Sequence, residues 1–280
     1  MSNDQHNQNG HTKGTRKDTH YAKLRRAHRD TKRAETADDE NDRVLLYGLH
    51  SVAEALKNPS RNIYQLWVTQ NAANRLGHDL KTLSFPVYSV HPKEIDARVG
   101  GDAVHQGVLI ECDPLTAFTL EDIKDTRLVL MLDQVTDPHN VGALIRSSVA
   151  MGVNAIVTTN RHSPVERGVL AKAASGGLEH IKLVRVRNLA NAITELNTRG
   201  YQTVGLDSDA PEDLETAVSG EKIALVMGAE GKGIRAKTKA TVTTLARLDM
   251  PGPIRSLNVS NAGALALYVV RKQLSALTPR

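Results

Sequence analysis

The chain has 280 residues, 36 Lys plus Arg against 31 Asp plus Glu, and a formal net charge of +5. An apolar share of 40% can build real cores and excludes wholesale disorder, and no run approaches the roughly 18 uncharged apolar residues of a membrane-crossing helix. A single cysteine, Cys112, excludes an intrachain disulfide framework and a Cys-rich zinc site, so a reducing, cytoplasmic setting is expected. The first residues are polar, without the apolar core of a secretory signal. With aromatics at 3%, a nucleic-acid surface of stacked rings is not expected either.

In chain order, residues 1–42 read as a solvated, disordered tail, because so few of them are apolar. Residues 11–33 carry nine Lys or Arg against two Asp, and residues 35–42 turn acidic. Such a basic arm attracts phosphate backbones, and equally suits a solubility tail. Residues 43–112 pattern as a small α/β unit. Tyr47-Gly48-Leu49-His50 leads into a helix over Ser51–Lys57, stopped by Asn58-Pro59. Strands are expected at Ile63–Val68, Val87–Val90 and Gln106–Ile110, with a helix over Pro92–Val99 before Gly100-Gly101. Residues 113–126 form the candidate linker.

From residue 127 to 280 strand and helix alternate. Leu128–Leu132, Ala155–Thr158, Ile181–Val186, Thr203–Leu206, Ile223–Met227 and Thr243–Leu248 read as strands. Helices are expected over Val141–Met151, Val165–Ala174, Leu189–Thr198 and about Ser260–Ser275. This rhythm predicts a mostly parallel sheet covered by helices, with ligands at the carboxyl ends of the strands.

Three loops carry candidate chemistry. The first, Asp133 to Arg146, offers Asn140 as a helix N-cap and Arg146 two turns on. Asp133, Asp137 and His139 invite a metal reading, but their spacing matches no common template, so no metal is expected. The second loop, Met227-Gly228-Ala229-Glu230-Gly231-Lys232-Gly233-Ile234-Arg235, fits G-x-G-x-x-A from Gly231 to Ala236. Asp249 then keeps a nicotinamide reading open, although the glycines stand far from the first βα unit. A Walker A loop fails, because neither Ser nor Thr follows the lysine as required. The third loop runs from Leu248 to Asn261 through Pro251-Gly252-Pro253, with Ser260 as a natural cap of the last helix. Ser256 as an acyl nucleophile is the runner-up here, without a surrounding G-x-S-x-G.

The set Asn140-x-Gly142-Ala143-x-x-Arg146, Met227-Gly228-Ala229-Glu230-Gly231-x-Gly233 and Ser256-Leu257-Asn258-Val259-Ser260 resembles the SpoU/TrmH family of RNA 2′-O-ribose methyltransferases, in the SPOUT superfamily. Residues 43–112 resemble the L30e-like RNA substrate-binding domain that precedes the catalytic domain in many members, with Tyr47-Gly48 and His105-Gln106-Gly107-Val108 matching its start and end. The resemblance implies an α/β-knot catalytic domain over 127–280, its C-terminal segment threaded as a trefoil knot that holds S-adenosyl-L-methionine.

By the same resemblance Gly228, Leu248, Met250 and Leu257 contact the cofactor, and Asn140, Arg146, Glu230, Ser256 and Asn258 are the catalytic polar set. It further implies a homodimer across the knot and methyl transfer to a ribose 2′-hydroxyl. The branch it most resembles methylates a guanosine of 23S ribosomal RNA; transfer RNA, or a non-catalytic role in ribosome assembly, are the alternatives. The sequence departs from the family pattern at Asp249, Pro251, Pro253 and Asn261, all on the third loop.

Overall fold

The computed structural model describes residues 43–124, 126–161, 164–253 and 256–276, so the expectation for the tail at 1–42 lies outside the described residues. Two sheets organise the rest. The first holds β1 (Val44–Tyr47), β2 (Ile63–Val68), β3 (Val87–Ser89) and β4 (Val108–Cys112) in the order β1-β4-β2-β3. The central β4 is antiparallel to both neighbours, and β3 adds parallel to β2. Alternate residues face opposite sides, as the pleat requires. Leu46, Leu66, Val68, Val108 and Ile110 pack with Val52, Ala55 and Leu76, while Tyr47, Trp67 and Leu109 pack with Ile95.

The small sheet contains elements the sequence pattern hides. β1 is buried on both faces, so it shows no alternation, and its end at Tyr47 reads as the entry to a helix. The helix Gln70–Leu76 buries only Ala72 and Leu76, too few positions for a helical period. It is held at its ends instead: the Thr69 side chain accepts from the Ala72 amide, and Gly77 closes it at φ 67°.

The second sheet holds β5 (Leu128–Asp133), β6 (Ala155–Thr159), β7 (Lys182–Val186), β8 (Gln202–Leu206), β9 (Glu212–Asp213), β10 (Ile223–Gly228) and β11 (Thr244–Arg247). Their order is β7-β6-β5-β10-β8-β11-β9, with every neighbouring pair parallel. All six residues of β5 are buried. Leu128, Leu130 and Leu132 face a cluster with Leu144, Ile145, Leu267 and Val270, and Val129 and Met131 face Leu189, Ile193 and Leu196. Helices therefore cover both faces, as the continuous apolar strands predict.

Several boundaries move. The expected Val141–Met151 helix is Pro138–Ala150, the expected Val165–Ala174 helix starts at Gly168, and the last strand stops at Arg247, so Leu248 belongs to the loop.

The small sheet is fastened to the large one through a buried charge cluster. Arg61 has no solvent exposure at its side chain and reaches Glu166 and Glu179, each at 2.5 Å. It also donates to the Asp113 carbonyl at 3.0 Å, and Asn58 and the Leu115 amide donate to the two glutamates. Burial alone would lower the Arg61 pKa. The hydrogen bond to Glu179 and the charges of both glutamates outweigh it and hold it above the ordinary value. In the same pocket burial pushes the Cys112 thiol up to about 12, so it stays protonated and inert at neutral pH.

Removing Arg61 would strand two buried carboxylates. Arg61→Ala is expected to destabilise the fold by roughly 3–5 kcal/mol, read as a lower urea midpoint, whereas a triple change of Arg61, Glu166 and Glu179 to apolar residues should restore most of it.

Candidate active site

The chain builds the large sheet outward from β5 through β6 to β7, then crosses back to place β10 and β8 on the other side. The strand order thus reverses between β5 and β10, and the carboxyl ends of that pair form the topological switch point where such sheets bind ligands. All three candidate loops meet at this edge or feed into it.

β5 ends on Asp133, fully buried and in register with Gly228 at the end of β10. One Asp133 oxygen accepts from the Arg235 side chain at 2.7 Å, the other from the Arg235 amide at 3.0 Å. That pair draws residues 229–235 back over the strand end. Gly233 donates its amide to the Ala229 carbonyl at 2.8 Å, closing the turn. The fold-back is tight: a Cβ on Gly228 would sit 1.9 Å from the Gly233 carbonyl carbon, so only glycine fits. Glu230 stands exposed in this turn.

The turn disposes of the nicotinamide reading. A dinucleotide fingerprint opens a long helix. Gly231 and Gly233 instead take φ of 75° and 61° in the tight turn, and only the four-residue helix Ala236–Lys239 follows.

The first loop leaves β5 through Gln134 at φ 63°. Asn140 is not the N-cap. Asp137 is, accepting from the amides of His139 and Asn140 at 2.6 and 3.2 Å, with Pro138 at the first helical position. The Asp137-Pro138 pair is the sequence signal of this helix start. With Asp133 held by Arg235 and Asp137 by the helix, neither is spare for a cation. Release from capping frees the Asn140 side chain, whose oxygen accepts from Asn258 Nδ2 at 3.0 Å.

Asn258 likewise displaces Ser260 as the cap of the final helix, Val259–Ala276. Its carbonyl accepts from the Ala262 amide, and its Oδ1 accepts from the Ser260 amide at 2.9 Å and hydroxyl at 2.6 Å. One side chain therefore starts the last helix and ties the third loop to the first, 118 residues away.

Along the same loop Leu248 and Met250 are half-buried, and Ser256 and Leu257 are exposed. Ser256 has no hydrogen-bond partner among the described residues, which leaves an acyl nucleophile without its base. Arg146 is exposed two turns into the Pro138–Ala150 helix, with no ion pair among the described residues. Asn140 and Asn258 touch directly; Gly228 is held beside Asp133; among the described residues no hydrogen bond joins Arg146, Glu230 or Ser256 to the rest.

Comparison with known proteins agrees with this architecture. Residues 127–268 match the SpoU rRNA Methylase family, and residues 45–118 match a family described as RNA 2′-O ribose methyltransferase substrate binding. The chain belongs to the SpoU rRNA methylase family.

Among individual relatives, the 23S rRNA (guanosine-2′-O-)-methyltransferase RlmB of Ralstonia nicotianae is 36% identical over 241 residues, 83% of this chain and 97% of that protein. The putative TrmH family tRNA/rRNA methyltransferase YacO of Bacillus subtilis is 33% identical over 81% of this chain and 94% of its own. The SpoU methyltransferase AviRb of Streptomyces viridochromogenes, solved in complex with the cofactor AdoMet, shares the fold at TM-score 0.72 and 19% identity, covering 85% of this chain and 93% of that one.

The Asn140–Asn258 contact can be measured. Asn258→Ala should cost about 1 kcal/mol through the lost cap, Asn140→Ala less, and the double variant should reveal a coupling of about 0.5–1 kcal/mol in a urea double-mutant cycle. Strict additivity would mean the two loops are joined by something else.

Proposed function

We propose that this chain transfers a methyl group from S-adenosylmethionine to a ribose 2′-hydroxyl in RNA, with a guanosine of 23S ribosomal RNA as the acceptor. The observation that carries this reading is its likeness to RlmB proteins at 36%, 34% and 35% identity over more than four-fifths of the chain. The Bacillus subtilis relative makes transfer RNA the second acceptor to test.

The residues present suit the cofactor. On this reading the tight turn after Gly228, which leaves no room for a Cβ, lets a ligand approach the backbone, and the half-buried Leu248 and Met250 with the exposed Leu257 would contact the adenosyl group. Leu257 is exposed, so its side chain is accessible to a ligand. When bound, S-adenosylmethionine supplies a methyl group activated by its sulfonium.

The chain's residues must then hold and activate the hydroxyl. As an arginine, Arg146 is an awkward general base, because its guanidinium holds its proton tightly. It orients the ribose and its phosphate through its planar fork and stabilises the alkoxide charge that develops. Glu230, Ser256 and Asn258 supply hydrogen bonds around the acceptor, Asn140 holds Asn258 in place, and the hydroxyl proton passes to water as the oxygen–methyl bond forms and the methyl–sulfur bond breaks.

The same reading takes residues 1–42 as a tail, 43–112 as the RNA-binding domain, 113–126 as linker and 127–280 as the catalytic domain, working in the cytoplasm. It takes the second and third loops as a trefoil knot and the protein as a homodimer through that region. Exposed Leu257, Leu265 and Tyr268, on the third loop and last helix, support such a contact.

Labelled S-adenosylmethionine, incubated with the protein and total RNA from cells lacking it, should place label in alkali-resistant dinucleotides, since alkaline cleavage needs a free 2′-hydroxyl. Label in mononucleotides would mean base methylation and overturn the acceptor. The size of the labelled RNA separates ribosomal from transfer RNA. Arg146→Lys is expected to lower turnover about 100-fold with cofactor affinity unchanged, comparable to losing one transition-state hydrogen-bond donor. Unchanged turnover would remove Arg146 from the chemistry.

A further inference from the structure

The parallel register fixes what lies beside the switch point. Leu132 pairs with Thr158, and Thr159 pairs with Val186, so Asp133, Thr159 and Val186 form the last row on β5, β6 and β7. The first residues beyond that row include Arg161 after β6 and Arg187 after β7. With strands about 4.8 Å apart, the Arg187 backbone lies roughly 10 Å from the start of the first loop.

A third arginine comes from the next helix. Arg167 is the residue before Gly168–Ala174. That helix runs in the same direction as Pro138–Ala150: Gly142 packs against Leu170 and Ala174, and Gly177 against Arg146. Its start therefore lies at the Asn140 end, on the same sheet edge. Gly168 in turn packs on the Tyr47 ring, so Arg167 also borders the small sheet.

Arg161, Arg167 and Arg187 are exposed, and none has an ion pair or side-chain hydrogen bond among the described residues. Arg43, Arg61, Arg199, Arg235 and Arg247 hold carboxylates, whereas Arg146, and Arg185 in the same cleft as Arg187, also lack an ion pair among the described residues. Most acids near this edge are already committed. Glu166 is bound by Arg61, Asp133 by Arg235, Asp137 by a helix start and Glu195 by Arg199. Glu121, in the cleft beside Arg187, and Glu230, exposed in the second loop, hold no ion pair among the described residues. The positive charge at the edge is thus left for a partner.

We infer that Arg161, Arg167 and Arg187 form a phosphate-binding track that carries the RNA backbone from the small sheet across the carboxyl edge to the acceptor loops. This rests on the reading of the chain as an RNA methyltransferase. Guanidinium forks match phosphate oxygens bidentately, and contacts of this kind set the register of a nucleic acid without reading its sequence. The three are positioning residues and leave the methyl-transfer step to the loops.

The test is the triple variant Arg161→Ala/Arg167→Ala/Arg187→Ala in the full chain, with a 23S rRNA transcript as probe. RNA affinity should fall at least about tenfold, and the slope of log K against log salt should flatten by about 2–3. KM for RNA should rise while kcat at saturating RNA and S-adenosylmethionine affinity stay within about twofold. The matching triple Lys variant keeps the charge and should recover the salt slope.

Unchanged RNA affinity and slope in a variant that still binds S-adenosylmethionine would overturn the track, as would a fall in kcat at unchanged KM. If the unaltered protein binds the transcript but methylates no RNA, the methyltransferase reading fails, and the binding data still decide the track.

Discussion

Asp133 ends β5 with no access to solvent, and both its oxygens are claimed by Arg235. A carboxylate in that position must be paired, because an orphaned buried charge would cost several kcal/mol. The pairing brings residue 235 back to residue 133, so the chain leaving β10 has to turn within a few residues. Gly228, whose Cβ would collide with the Gly233 backbone, is the consequence. Everything proposed for the second loop, from its backbone amides to the exposed Glu230, depends on this fold-back. It occurs where the strand order reverses, the one place along a parallel sheet where loops part and leave a crevice.

A second constraint acts on the opposite side of that crevice. Asn258 spends its oxygen on the start of the last helix and its amide on Asn140. The helix is anchored in turn by Ala266, Leu267 and Val270, which share a cluster with Leu144 and Ile145 from the helix that carries Arg146. Asn140 and Asn258 are thus placed by their mutual hydrogen bond, by a cap and by the apolar packing of their helices. This is the arrangement preorganised chemistry requires: groups fixed before the substrate arrives, with no reorganisation left for the reaction. The Arg61 cluster extends the logic outward, seating the small sheet against residues 166–179.

Legibility in the sequence followed burial. β5 and β10 announce themselves as unbroken apolar runs, and their parallel pairing follows from the alternation of strand and helix. β1 and the Gln70–Leu76 helix escaped, because a short strand buried on both faces and a helix with two buried positions leave no period to read. Within the site the motif residues were visible as types and spacings, but their local roles were not. Asn140 and Ser260 looked like caps since Asn and Ser favour that position. Asp137 and Asn258 hold it because Pro138 sets one helix start and the link to Asn140 fixes the other. The Asp133–Arg235 pair spans 102 positions, and no local pattern predicts a partner at that distance.

The charge distribution around the crevice separates two tasks. At the proposed acceptor position Asn140, Ser256 and Asn258 are neutral, Arg146 is the only cation of the set and Glu230 its only anion. A strongly positive site would hold a phosphodiester equally well in many registers, and ribose selection needs one. The unmatched arginines stand aside, one and two strands away along the same edge. There counterion release can supply affinity without blurring the geometry at the hydroxyl. Glu166, Asp133 and Glu195 hold arginines inside the protein and Asp137 caps a helix, which limits the carboxylates that could compete with phosphates for these guanidinium forks to Glu121 and Glu230.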